Sequence, residues 1–185
     1  ELSYAKGADA LISAIEILQN RGVLAKYNVI FLLTKSAILR DKPGLRKKYM
    51  QKLAKLLATN AAILYPTMNH EEMPMLYHAS DIVVIPSRLL EYTSSDRSPN
   101  VALEALASGV ILVASKVGGI PTIVGNSAIL IEPNSPHKLA EKLEEILSNF
   151  KKYKYLTKKA HRRAATKLDI RLYTCTLLKI IFQIY

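Results

Sequence analysis

A chain of 185 residues, half of them hydrophobic and 22% charged, is long enough to bury one substantial core and too apolar to remain disordered. Its apolar runs, such as Ile82–Ile85, fall far short of the roughly 20 residues of a membrane-spanning helix, no signal-peptide pattern opens the sequence, and the single cysteine, Cys175, excludes an internal disulfide and fits a reducing cytosol. The formal net charge of +11 is concentrated in two stretches: eight basic residues against Asp41 between Lys35 and Lys55, and nine against Asp169 between Lys151 and Arg171. Such stretches read either as solvated helix faces or as seats for an anionic partner: a lipid headgroup, a phosphorylated acceptor or nucleic acid.

Periodicity and breakers predict the elements in chain order. Ala8–Gln19 is an amphipathic helix with Leu11, Ile15 and Leu18 on one face. Asn28–Leu33 is a buried strand, Leu45–Leu57 a lysine-rich helix and Ala61–Tyr65 a second strand. Asn69 followed three residues later by Glu72 forms a capping box that opens a short helix to His78. Strand Ile82–Pro86, a polar loop, helix Pro99–Ser108 and strand Val110–Ala114 come next. A glycine turn at Gly118–Gly119, a short helix near Pro121–Val124, strand Ala128–Ile131 and helix Pro136–Asn149 follow, and helical segments finish the chain over 150–185. Short all-apolar strands alternating with helices predict one α/β domain with a parallel sheet covered on both faces. Ligands of such sheets bind where strands end and helices begin.

The segment after Ile82–Pro86 carries the chemistry. Ser98-Pro99 is a helix start, serine as N-cap and proline as first helical residue. The amides of the first turn, from Ser98 through Asn100 and Val101, carry partial positive charge and form a seat for phosphate. Asp96 precedes this helix, and Glu104 lies one and a half turns into it, between Leu103 and Leu106. A carboxylate accepts hydrogen bonds from two neighbouring hydroxyls at once, so the pair suits a polyol. An ordinary loop cap and an exposed helical glutamate are the alternative reading of the same two residues.

Tyr77-His78-Ala79-Ser80-Asp81-Ile82-Val83-Val84-Ile85-Pro86-Ser87, then Asp96 to Gly109 with Glu104-Ala105-Leu106-Ala107-Ser108-Gly109, then Val117-Gly118-Gly119-Ile120-Pro121 resemble the C-terminal, donor-binding domain of group-1 (family-4) retaining glycosyltransferases of the GT-B fold. Lys6-Gly7 resembles the Lys-Gly that precedes that domain's first helix. The resemblance implies a Rossmann-like parallel sheet with helices on both faces, and a hexosyltransferase-type enzyme that takes a UDP-, GDP- or ADP-sugar and retains configuration at the anomeric carbon. It implies that Glu104 holds the ribose hydroxyls and Asp96 faces the donor sugar. Lys6, Arg97 and the helix start Ser98-Pro99-Asn100-Val101 would bind the diphosphate, and Gly118–Gly119 would close the pocket. A lysine and a helix amide end stabilise the charge growing on the departing diphosphate, so neither a metal nor another cofactor is expected. Family members open this domain with a central strand ahead of the Lys-Gly turn and carry an N-terminal acceptor-binding domain of similar size. The resemblance therefore reads this chain as a fragment that binds a donor but does not transfer sugar by itself.

The pattern has departures. Asp96 replaces a glutamate and reaches about one methylene less far, with Glu91 as its rival. Thr122 stands where the family has glutamate, and Glu1 where it has a diphosphate-binding arginine, a role open to Arg88 or Arg97. These changes keep open a catalytically degenerate nucleotide-binding or regulatory domain, and charge alone keeps open a nucleic-acid module, although no nucleic acid is expected as partner. The expected setting is the cytoplasm, with the basic stretches permitting peripheral contact with an anionic membrane on its inner face. His70, His78, His137 and His161 lack metal-ligand spacing and read as structural. Cys175 reads as packing. Tyr153, Tyr155 and Tyr173 interleave with cations, and the apolar tail Leu177–Tyr185 calls for a partner surface.

Overall fold

The computed structural model describes residues 3–34, 43–66, 68–69, 71–88 and 100–182. In chain order the elements are α1 (Ala8–Asn20), α2 (Val23–Tyr27), β1 (Phe31–Thr34), α3 (Pro43–Ala58), β2 (Ala62–Tyr65), α4 (Met73–His78), β3 (Ile82–Ile85) and α5 (Asn100–Ser108). There follow β4 (Ile111–Ser115), α6 (Ile120–Val124), β5 (Ile129–Ile131), α7 (Pro136–Ser148), α8 (Phe150–Tyr153), α9 (Tyr155–Lys167) and α10 (Ile170–Phe182).

Every strand pair is parallel, as the all-apolar strands require. β1 pairs with β2, Leu32 opposite Ile63. β4 stands between β3 and β5, Val84 opposite Val113 and Ala114 opposite Leu130. All five residues of β4 are buried. Instead of one continuous ladder, the described strands form two, of two and three strands. The edge of β1 away from β2 and the edge of β3 away from β4 line one cavity of about 660 Å³.

Helices cover both faces. On one, Ile12, Ile15 and Leu18 of α1, Tyr49, Leu53 and Leu56 of α3, and Leu139, Leu143 and Ile146 of α7 form a single core with Ile111 and Val113. The spacing of three and four puts each set on one helical stripe. On the other, Ala102, Ala105 and Leu106 of α5, Ile120 and Val124 of α6 and Ala160 of α9 pack on Leu112 and Ala114. Alternate residues of β4 thus feed the two cores, which is the period-two pattern of a doubly covered strand.

The capping box forms in full. Asn69 Oδ1 accepts from the amides of Glu71 and Glu72 at 3.0 and 2.9 Å, and the Asn69 amide donates to Glu72 Oε2 at 3.0 Å. Two expectations change. Helix α2 was not anticipated, because five residues between Gly22 and the left-handed Asn28 (φ 53°) are too few to show a period. The strand expected from Asn28 starts at Phe31, since Asn28 caps α2 and the Val29 amide donates back to Leu24.

Several basic residues of α3 and of the segment from α8 to α9 lie on solvated faces. Lys47 and Lys48 are exposed, as are Lys151, Lys152, Lys154, Lys158, Lys159 and Arg162. Lys52 joins α3 to α1 through Glu16 at 2.6 Å. Cys175, expected to pack, is instead exposed on α10. That helix also exposes Ile170, Leu172, Leu177, Leu178 and Ile181. His78 and His161 each place Nδ1 against a carbonyl, of Pro74 at 2.7 Å and Ala107 at 3.1 Å. No helix among the described residues is long and apolar enough to cross a membrane.

Candidate functional site

The chain enters the domain through a tight turn, Ser3–Gly7, closed by the amides of Gly7 and Ala8 donating to Tyr4 and Ser3. This turn is seated on the carboxyl end of β3. The Arg88 amide donates to the Ala5 carbonyl at 3.1 Å, and a Cβ on Gly7 would lie 1.9 Å from the Pro86 carbonyl oxygen. Only glycine fits there, and Gly7 also has φ +72°. The Arg88 guanidinium locks the same junction. It stacks 3.8 Å from the Tyr4 ring centroid and donates from Nη2 to Asp9 Oδ1 at 2.6 Å, with its side chain 4% exposed. Lys6 is thereby held at the carboxyl end of β3, in the wall of the cavity that Pro86, Ser87, Tyr77 and Val101 also line.

Helix α5 begins beside this point. Asn100 and Val101 are exposed in its first turn, while Ala102, Ala105 and Leu106 are buried. The buried Ala102, Ala105 and Leu106 anchor the helix in the core. Glu104 is half-buried rather than free on the surface, and its Oε2 accepts from the Tyr77 hydroxyl at 2.8 Å. Tyr77 is 6% exposed. Burial first, and then the Glu104 carboxylate, push its ionisation well above the usual tyrosine range. A carboxylate accepts about four hydrogen bonds, so one from Tyr77 orients Glu104 and leaves acceptor capacity for hydroxyl groups.

After β4, Gly118 (φ +52°) and Gly119 form the turn into α6. Val117 and Ile120 on either side of it belong to the same core as Ala102 and Leu106, so the turn and the start of α5 share one foundation. Arg163 of α9 closes the far end of α6, donating to the carbonyls of Thr122 and Ile123 at 2.7 and 2.6 Å. The structure thus places a lysine, a helix amide end, an oriented carboxylate and a glycine turn on the carboxyl-end side of a parallel sheet.

The family model for glycosyl transferases group 1 matches residues 1–163. The chain belongs to that family. Among known relatives, an uncharacterized glycosyltransferase of Methanocaldococcus jannaschii is 27% identical over 164 residues, 87% of this chain and 37% of the relative. Among solved structures, HepE of Anabaena in complex with UDP-glucose superimposes with a TM-score of 0.76 at 22% identity, over all of this chain and 47% of HepE. The C-terminal domain of the group 1 protein LpcC from Francisella tularensis gives a TM-score of 0.68 at 26% identity, covering 91% of this chain and 82% of that domain. The chain therefore spans under half the length of the first two and corresponds to the C-terminal domain of a GT-B glycosyltransferase.

Of the sequence-predicted site residues, Lys6 and Val101 line one cavity and Glu104 is bonded to a third lining residue, Tyr77. Asn100 adjoins them, and Gly118 and Gly119 lie at the neighbouring strand end. Asp96, Arg97, Ser98 and Pro99 lie outside the described residues, as do Glu1, Glu91 and His70. Arg88 stacks on Tyr4 and pairs with Asp9. Sequence reasoning missed Tyr77 as the partner of Glu104 and Arg88 as the pin of the Lys6 turn. Both contacts span the fold, 27 and 79 residues apart in sequence, and leave no local pattern.

Proposed function

We propose that this group 1 domain binds a nucleotide-diphospho-sugar across the carboxyl ends of β3 and β4 and serves retaining hexosyl transfer to an acceptor. The observation that carries the reading is Glu104, a half-buried carboxylate held by Tyr77 beside the first turn of α5 and the cavity that Lys6 lines. In this reading Glu104 accepts from the ribose hydroxyls, Lys6 and the α5 amides meet the diphosphate, Asp96 faces the sugar, and Gly118–Gly119 lets backbone approach the donor. During transfer the bond from the anomeric carbon to the diphosphate oxygen breaks, a bond to the acceptor oxygen forms on the same face, and the acceptor's hydroxyl proton passes to the departing diphosphate. Negative charge grows on the diphosphate, and a fixed cation with preoriented amides lowers that barrier without a divalent metal. The acceptor is held by an N-terminal domain, so the present chain binds donor without turnover. The binding of UDP-glucose by HepE, a fold neighbour, supports a nucleotide-sugar ligand.

Thermal denaturation with UDP-, GDP- and ADP-sugars tests the reading, because a ligand that binds only the folded state raises the midpoint. We expect one nucleotide class to raise it and EDTA to leave the shift unchanged. No shift with any of them at millimolar concentration refutes the reading. Thr122, exposed at the start of α6 where the family carries glutamate, favours a degenerate, binding-only domain as the second reading. Absence of turnover by the two-domain protein with every donor that binds would select it.

A further inference from the structure

Helix α6 is five residues long, and its carboxyl end is held from outside the helix. The amides that follow serve other carbonyls, that of Gly125 donating to Pro121 and that of Ser127 to Val124. The carbonyls of Thr122 and Ile123 are met by Arg163 of α9, whose Nη2 and Nε donate at 2.7 and 2.6 Å. So short a helix has too few internal bonds to stand unaided, and a cation is favoured at its carboxyl end. Two further contacts show the fold built around this guanidinium. An added Cβ at Gly125 (φ +52°) would lie 2.7 Å from Arg163 Nη1 and 2.8 Å from Cζ, so glycine makes room for it. The buried Ser127 donates from Oγ to the Lys159 carbonyl at 3.2 Å and ties the next turn to the same helix. Helix α9 is itself fixed on α5, since Ala160 is buried with Ala102, Ala105 and Leu106, and His161 Nδ1 stands 3.1 Å from the Ala107 carbonyl.

We propose that Arg163 is a positioning residue for the sugar end of the donor: it registers α6, and with it the Gly118–Gly119 turn, against α5, the helix that carries Glu104. The inference rests on the donor-binding reading given above. In that reading Glu104 serves the ribose, and Lys6 with the α5 amides serves the diphosphate, which leaves the glycine turn to meet the sugar. Two glycines offer no side chain by which the turn could be held. Its place comes from Val117 and Ile120, which share the core of α5, and from α6 beyond it. The Thr122 side chain is exposed, so its carbonyl is the handle that α9 holds. A planar guanidinium fork on two successive carbonyls fixes the angle of α6 as well as its distance, whereas an ammonium on a flexible stem supplies the charge without that geometry.

The test compares Arg163→Met and Arg163→Lys with the unaltered chain. Amide hydrogen exchange is followed at Ile123 and Gly125, whose amides donate to Gly119 and Pro121, and in α1 and α7 as a record of global folding. Calorimetry gives affinities for UDP-, GDP- and ADP-sugars, each beside its free diphosphate. In Arg163→Met, exchange at Ile123 and Gly125 should be at least tenfold faster with α1 and α7 unchanged. The sugar nucleotide that binds should lose at least fivefold in affinity, while its diphosphate stays within twofold. Arg163→Lys should fall between wild type and Arg163→Met, and it carries the same comparison if the methionine variant does not fold. Unchanged exchange in α6, or equal losses for diphosphate and sugar nucleotide, would overturn the proposal. Binding of none of these ligands by the unaltered chain would refute the donor reading and the sugar role with it, and exchange at α6 would still report whether Arg163 holds that helix.

Discussion

Substituting Gly7 by alanine separates backbone geometry from crowding at the junction that positions Lys6, because Gly22 supplies a matched control. Both glycines have nearly the same left-handed φ, +72° and +71°. An added Cβ at Gly22 meets nothing within 4 Å, whereas at Gly7 it would stand 1.9 Å from the Pro86 carbonyl oxygen and 2.8 Å from its carbon. Gly22→Ala therefore carries only the left-handed penalty, about 1–2 kcal/mol, less the smaller unfolded-state entropy gained with alanine. Gly7→Ala carries the same terms plus a collision with main chain, which cannot rotate aside. Forced overpacking costs about 1–3 kcal/mol at side chains, and a backbone neighbour belongs at the upper end. We expect Gly7→Ala to be at least about 2 kcal/mol less stable than Gly22→Ala. At roughly 2–4 °C per kcal/mol for a chain of this size, it should melt at least about 4 °C lower in calorimetry. Equal melting temperatures for the two variants would show that the Lys6 turn does not rest on β3.

Other substitutions probe the remaining parts of the site. Glu104→Ala should weaken nucleotide binding by about 1.5–3 kcal/mol in calorimetry, the range for hydrogen bonds to a charged group, while the chain stays folded; unchanged affinity would remove Glu104 from the ribose. Asp96→Ala should spare the nucleoside diphosphate and weaken the sugar nucleotide, and equal losses for both would show that Asp96 does not face the sugar. Arg88→Met should cost about 1–3 kcal/mol in denaturant unfolding, because it strands Asp9, whose one-third exposure lets water offset part of the loss. Tyr77 ionises less readily in the folded chain than in the unfolded one. Its contribution is thus complete below the unfolded tyrosine range, near pH 10, and is lost as pH rises through the folded value. Wild type should lose more stability than Tyr77→Phe between about pH 10 and 12, and parallel pH profiles would contradict this assignment.

Local patterns made most of the elements legible. The Asn69–Glu72 box, the apolar stripe of α1 and the fully buried β4 were readable because each depends on neighbours within a turn or on a short unbroken apolar run. Glu104 was readable as an anomaly, a carboxylate in an apolar helix, but its orienting partner was not, since Tyr77 reaches it from another helix. Arg88 shows the converse. It was named with Arg97 as a stand-in for the family's diphosphate-binding arginine, and the fold sets its cation against Tyr4 and Asp9, a contact no local pattern announces. Likewise, apolar composition suggested packing for Cys175, while α10 leaves it exposed. The split of the sheet into two ladders depends on pairing between distant segments and has no signature in any one of them.

The most direct measurement is amide and side-chain chemical-shift mapping of the present chain during titration with UDP, GDP and ADP. Saturable shifts clustered at Lys6, Asn100, Val101, Glu104 and Gly118–Gly119, and abolished for the ribose-proximal signals by Glu104→Ala, are the expected result. Binding that maps to the lysines of α3 or α9 and leaves α5 unmoved would contradict donor recognition at the strand ends.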